Sequence, residues 1–312
     1  MSRRLSIPFL VDIVTVDRRA DAEEVNQHPE ITRGLSWEVT YLGRLINRLR
    51  LRRITDIMEV DDRLLPVFLP RDDSERASEQ AALERALNAK LAEGKGWRAE
   101  EIAELAGLLR DGGEMGADEA RVGIAVQGLL GRLFDPGYQA TSDGYAAARV
   151  LGEWPRAGFF KALWWRLTGR VWRARELIWK RAGRDRLCIH ATAIALHNLV
   201  DSLLAMGRLH ADPVTRGRMA EARVVGQCLE APPSLLRRST DRFYPGFLGR
   251  PIGKHALVVI DLARLHGGSA DTALAFAAGQ WNQCPAHRFV PALLVAVWRA
   301  LAEPGELREA AE

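Results

Sequence analysis

The residues with the most distinctive chemistry lie in the string FAAGQWNQCPAHRF, positions 276–289. Phe276 is followed by a small-residue turn, a lone Cys284, then Pro285 and Ala286, opening onto the apolar stretch Val290 to Leu301. That order can present one thiolate from a loop at the N-terminus of a helix, where backbone N–H groups and the positive helix end stabilise the anion. A single thiolate held in this way meets the requirement for an axial ligand to heme iron. The competing reading is a free thiol buried ahead of an ordinary core helix. The other two cysteines, Cys188 and Cys228, are distant in sequence; no Cys-x-x-Cys spacing occurs, and the odd number argues against a disulfide framework. His190 and His197, seven residues apart, can share a helix face, but no third metal ligand is evident. Gly112-Gly113-Glu114-Met115-Gly116 follows a helical pattern rather than a strand, so it lacks the context of a dinucleotide loop, and no G-x-x-x-x-G-K-[ST] phosphate loop is present. The paired acids Asp61-Asp62 and Asp72-Asp73 fall in polar, solvated-looking loops.

The elements that must position Cys284 read mainly as helix. VDIVTV, positions 11–16, is β-branched and alternating and predicts a strand, followed by a short helix over 21–26. Helices are predicted over 37–53, 74–93, 99–110 and 118–134, the last ended by Asp135-Pro136-Gly137. Positions 56–70 read as a loop or short helix. The stretch 159–181 reads as one helix carrying Trp164, Trp165, Trp172 and Trp179 among lysines and arginines. The seven-residue recurrence of Trp165, Trp172 and Trp179 predicts that this helix packs its tryptophans inward and lets its arginines snorkel. The rival is a helix lying on a membrane surface or gripping an anionic partner. Helices over 187–209, the most apolar, and 216–229 follow, then short strands at 235–238, 247–249 and 255–261. The fold class expected is mainly α with a small β portion, in one domain over 1–312.

With 47% apolar residues among 312, a full core is within reach. The net charge of +4 comes from arginines interspersed with acids, which marks a solvated surface rather than a nucleic-acid groove. The first ten residues lack the apolar region of a signal peptide, and no stretch approaches the ~18 uninterrupted apolar residues of a membrane span. Sparse cysteines fit a reducing compartment, and the expected location is cytoplasmic.

The Cys284 string resembles the heme-binding loop and following helix of the cytochrome P-450 superfamily. The resemblance is clearest over 187–312. The apolar helix 187–209 resembles the helix that crosses over the heme; HADPVTRGRMAEARVVGQCLEAPPSLLRRSTD resembles the next helices and their Pro-Pro turn; FLGRPIGKHALVVIDLARLH resembles the hairpin that follows. DIVTVDRRADAEEVNQHPEITR resembles the opening strand and helix more weakly. The resemblance implies a shortened P-450-like fold with heme as cofactor. It implies Cys284 as the iron ligand, with Phe276 opening the loop. Arg238, with Arg237 beside it, stands at a position that meets a heme propionate, and Arg288 or His287 offers a further charge. Ala191, Thr192 and Ala195 would lie over the iron, with Thr192 and His190 the candidates for proton handling.

Several departures matter. The Glu-x-x-Arg pair of the family is replaced by Gly226 and Leu229, and the acid preceding Thr192 by Ala191. The segment between the hairpin and the Cys loop is shortened, with Gly267-Gly268-Ser269 bridging directly to 271–276. The loop holds one residue more than the usual Phe-to-Cys spacing, and Asn282 stands where an Arg or His is usual. Pro291 must begin or kink the last helix. Two functions follow. One is a heme-thiolate oxidoreductase, a monooxygenase or peroxygenase acting on a small organic molecule in bacterial specialised metabolism, with a redox partner, a peroxide source or a non-oxidative reaction. The other is a heme-free relative acting as partner or activator of another biosynthetic enzyme.

Overall fold

The computed structural model describes residues 3–7, 11–33, 53, 56–61, 63–65, 69, 71–111, 117–212, 221–229, 235–254, 256–266, 272–273 and 275–302. In chain order these form β1 (Arg3–Ile7), β2 (Val11–Val16), α1 (Arg19–Gln27), β3 (Ile31–Arg33), β4 (Glu59–Val60), β5 (Arg63–Leu64), α2 (Ser74–Ala92), α3 (Ala99–Asp111) and α4 (Glu119–Arg132). There follow α5 (Ser142–Glu153), α6 (Phe159–Leu167), α7 (Arg170–Arg181), α8 (Arg186–Ala211), α9 (Glu221–Cys228), β6 (Leu235–Ser239), β7 (Leu257–Ile260), α10 (Leu262–His266) and α11 (Phe289–Ala302). The fold is mainly helical with a small β portion, as the sequence predicts.

The chain divides into two compact units. The first comprises Met1–Ala82, Ala231–Gly267 and Asp271–Pro285; the second comprises Leu83–Glu230, Gly268–Ala270 and Ala286–Glu312.

The first unit is built on a five-stranded sheet of order β1-β2-β7-β6-β3. β2 pairs antiparallel with β1 and parallel with β7, in a register that sets Ile13 beside Leu257 and Val16 beside Ile260. Alternation decides which side chains enter the core: Val14 and Val16 of β2 and Val258 and Ile260 of β7 are fully buried, with Val25, Ile31 and Ile252 beside them. Arg4 grips Asp12 across β1 and β2 through two 2.7 Å bonds and donates a third to the Pro251 carbonyl. The expected strand at 247–249 is a turn instead; an isolated bridge between Phe243 and Ile252 closes it, and Gly249 takes a positive φ of 62° that suits a turn. β1, β3 and the short β4–β5 hairpin were not anticipated; they are brief, and β1 carries three polar residues in five.

The second unit is a helical core in which α8 packs against α3, α4 and α11. Caps mark the helix starts: the Asp118 carboxylate accepts from the Ala120 and Arg121 amides, Thr141 from the Gly144 amide, and Asp185 from the Cys188 amide at 2.6 Å. α5 was not anticipated. It lies so close to α4 that a Cβ on Gly123 would stand 2.1 Å from the Tyr145 ring. α8 is 26 residues long and apolar enough to cross a membrane by length and composition, but 56% of its most apolar window is buried within the protein, as suits a core helix. Its residues Ala191–Ala195 are wound as a π-helix.

The single helix expected over 159–181 is two. Thr168 ends α6, and Gly169, at φ 64°, starts α7 in a new direction. The seven-residue pattern therefore runs across a break. Trp165 and Trp179 are buried, at 5% and 2% exposure, whereas Trp172 is 37% and Trp164 64% exposed. The helix expected over 37–53 lies almost wholly outside the described residues.

Candidate cofactor-binding site

Cys284 is the only cysteine within reach of solvent; Cys188 and Cys228 are fully buried. Burial, with Asp185 and Asp135 nearby, pushes the Cys188 thiol up to about 12, which leaves it inert as a thiolate. Phe276 and Cys284 bracket a closed loop: the Cys284 amide donates to the Phe276 carbonyl at 2.8 Å. The turn between them takes two left-handed positions, Ala277 at φ 50° and Gly279 at φ 74°. The Gly279 amide in turn donates to the Gln283 side chain at 2.6 Å.

Two residues of α2 hold this loop. Arg76 is 3% exposed; its Nη1 donates to the Trp281 carbonyl at 2.8 Å, its Nη2 to Gln80 Oε1 at 3.2 Å, and its guanidinium lies 4.3 Å from the Trp281 ring centre. Gln80 Nε2 donates to the Gln283 carbonyl at 2.6 Å. Asp73 caps the helix so that Arg76 is aimed at the loop, accepting from the Glu75 and Arg76 amides. Burial, then the neighbouring Arg71 guanidinium, lowers the pKa of Arg76. Its bonded partners among the described residues are neutral oxygens, and its Nε has no acceptor there. A buried cation with one N–H unused fits an anionic group of a bound cofactor. Sequence reasoning missed Arg76 and Gln80: in the run Ser-Glu-Arg-Ala-Ser-Glu-Gln nothing separates them from a wet helix face.

The remaining predicted residues are placed as follows. Arg237 and Arg238 lie on β6, their backbones in register with Val258 and Leu257 of β7; their side chains fall outside the description. In the second unit, Arg288 is exposed and His287 Nε2 lies 3.8 Å from Glu84 Oε1. Pro291 occupies the first turn of α11, where its missing N–H costs nothing, so it begins the helix rather than kinking it. Thr192 is fully buried within the π-helical segment; its hydroxyl donates to the Cys188 carbonyl at 2.7 Å, and its own carbonyl accepts from Gln127 Nε2 at 3.0 Å. His190, half-buried, ends the α-helical turn just before that segment. His197 is a core histidine: its Nε2 is bonded to the Ala148 carbonyl at 3.0 Å, and it packs against Gly152, where a Cβ would lie 2.4 Å away. Gly226 and Leu229 are buried, so no ion pair replaces the Glu-x-x-Arg of the resemblance at these positions.

Among the described residues, no group of three or more His, Cys, Asp or Glu could hold a metal ion. The donor chemistry of the loop, one accessible thiol with a buried cation bonded to the same loop, instead fits iron that brings its own porphyrin ligands.

No known family profile matches the sequence, and no curated protein matches it. Solved structures do. A cytochrome P450 described as CYP102L1 superposes with a TM-score of 0.61 at 13% identity over 97% of this chain and 89% of its own. P450 RauA (CYP1050A1), complexed with a biosynthetic intermediate of aurachin RE, gives 0.61 at 12% over 93% and 83%. CYP164A2 of Mycobacterium smegmatis, with econazole bound, gives 0.59 at 16% over 96% and 86%. Identities this low speak to the fold alone, and on that evidence the chain has a cytochrome P450-like fold in a shortened, 312-residue form.

Proposed function

We propose that this protein is a heme-thiolate oxidoreductase of P450 type that acts, as one functional domain, on a small organic molecule, with Cys284 as the iron ligand. The observation that carries the reading is the Cys284 loop: one accessible thiol on a loop pinned by Arg76 and Gln80, within a P450-like fold. Arg76 is added to Arg238, Arg237 and Arg288 as a cation for the propionates. When bound, a heme with a thiolate ligand supplies oxygen chemistry at iron, the thiolate pushing electron density that favours O–O cleavage. Thr192 is fully buried and its hydroxyl is committed to the Cys188 carbonyl, so of the two candidates for proton handling the half-buried His190 is the better placed to meet a reactant. Ala191 in place of an acid favours peroxide use or a non-oxidative reaction over reduction of O2 by a redox partner. Among structures of like fold, P450EX alpha (CYP152N1) was solved with myristic acid, which supports an organic substrate of apolar character here.

The test is the absorption spectrum of the purified protein mixed with hemin. A red-shifted Soret band in the reduced, carbon-monoxide-bound state is expected, with heme lost from Cys284→Ala. One observation favours a second reading, a heme-free partner or activator of another biosynthetic enzyme: the apolar Gly226 and Leu229 where the resemblance expects an ion pair. A protein that stays colourless with hemin would overturn the first reading and leave this one ahead.

A further inference from the structure

α6 wears its apolar face outward. Its nine residues have only Ala162 and Trp165 buried. Phe159 is 69% exposed, Phe160 83%, Trp164 64% and Leu167 75%, with Leu163 at 44%. At 3.6 residues per turn these five fall within an arc of about 140°, and the two buried residues occupy the opposite side. Cations border the arc: Lys161, ion-paired with Glu153 at 2.6 Å, lies on one side and Arg166 on the other, both exposed. α7 continues the pattern with exposed Arg170 and Arg173 beside the part-exposed Trp172. Positions 156–181 hold eight Lys and Arg against one acid, Glu176, so this short stretch carries more positive charge than the +4 of the whole chain.

A soluble surface helix has the reverse arrangement, and an apolar patch of this size marks an interaction site. We propose that α6 docks on an anionic lipid surface, its phenylalanines, Leu167 and Trp164 entering the headgroup–acyl boundary while Arg166, Arg170 and Arg173 meet lipid phosphates. Two features choose lipid as the occupant. The face is the convex side of a single helix bordered by cations, the layout of interfacial helices. A second copy of the chain, meeting the same face about a two-fold axis, would bring these cations against one another. The proposal is independent of whether heme binds.

The full chain is sedimented with vesicles of phosphatidylcholine mixed with phosphatidylglycerol, and Trp emission is followed. Binding is expected, with a blue shift that Trp164→Phe reduces. Phe160→Asp combined with Leu167→Asp is expected to abolish partitioning without altering far-UV circular dichroism, since both positions are exposed. Arg166→Gln combined with Arg173→Gln is expected to weaken partitioning about thirtyfold, from two surface cations lost. Wild-type protein that stays in the supernatant overturns the proposal, as does aspartate-variant protein that binds like wild type. A concentration-dependent dimer dissolved by the same aspartates, without vesicle binding, assigns the face to a second copy and overturns it equally.

Discussion

Thiol labelling separates Cys284 from its two companions sharply. Cys188 and Cys228 are 0% exposed, so a reagent reaches them only through opening of the surrounding structure. At an opening cost of ~5 kcal/mol, the lower end for a stable domain, their labelling slows by three to four orders of magnitude relative to an accessible thiol. Cys188 is protected a second time: with its thiol pushed up to about 12, largely by burial, its thiolate fraction near pH 8 is about 10⁻⁴, and only the thiolate reacts. Cys284, only half-buried, is reached without such opening. Ellman's reagent under native conditions should therefore report one fast thiol of three, and peptide mapping after alkylation should find it at Cys284. If Cys284 ligates iron, an equivalent of hemin should suppress that fast phase and leave the slow ones unchanged. Three thiols reacting together under native conditions would refute the burial argument; a fast phase indifferent to hemin would refute Cys284 as ligand.

Arg76→Ala should loosen the Cys284 loop. Losing the charged bond to the Trp281 carbonyl costs about 1.5–3 kcal/mol, read as roughly ten- to hundredfold faster amide exchange over 276–284 with exchange in α4 and α5 unchanged. Gly123→Ala should destabilise the second unit by about 1–3 kcal/mol in urea titration despite the better helix propensity, because the Tyr145 ring, itself 3% exposed, has no room to retreat. Burial holds the His197 imidazole below its ordinary range. A lowered native value means that the unfolded chain takes up the proton first, so stability is intact above about pH 6.5 and declines as pH falls from there toward the native value. The urea midpoint should drop between pH 7.5 and 5.5, and His197→Gln should flatten that drop.

The parts legible in the sequence are those with strong local signals. β2 is found at its observed bounds because VDIVTV alternates cleanly, and α4 and α8 are found because capped apolar periodicity is long enough to outweigh chance. The Cys284 loop is legible because small residues, Cys and Pro before an apolar run form an uncommon order. What escaped was decided by tertiary contacts. Trp172 keeps heptad spacing with Trp165 on paper, but Gly169 breaks the helix between them and turns it to solvent. Arg76 reads as a surface arginine until Trp281, 205 positions away, is seen against it. α5 is Ala- and Gly-rich, a composition that signals little until Tyr145 is found lying over Gly123.

The π-helical segment of α8 bears on how this helix tolerates change in length. A π segment is a regular helix that has taken in a residue without rewinding its ends. Ala191–Ala195 thus acts as slack between two phases: Cys188 and Ile189 set one side, and Leu196, Leu199, Leu203 and Met206 set the other. Deleting one of these five residues would restore ordinary winding and leave both buried faces where they are. The same deletion made anywhere from Leu199 to Met206 would rotate the remainder by about 100° and turn leucines toward water. Tolerance to single-residue deletion along α8 should therefore be confined to one turn, the turn that carries Thr192.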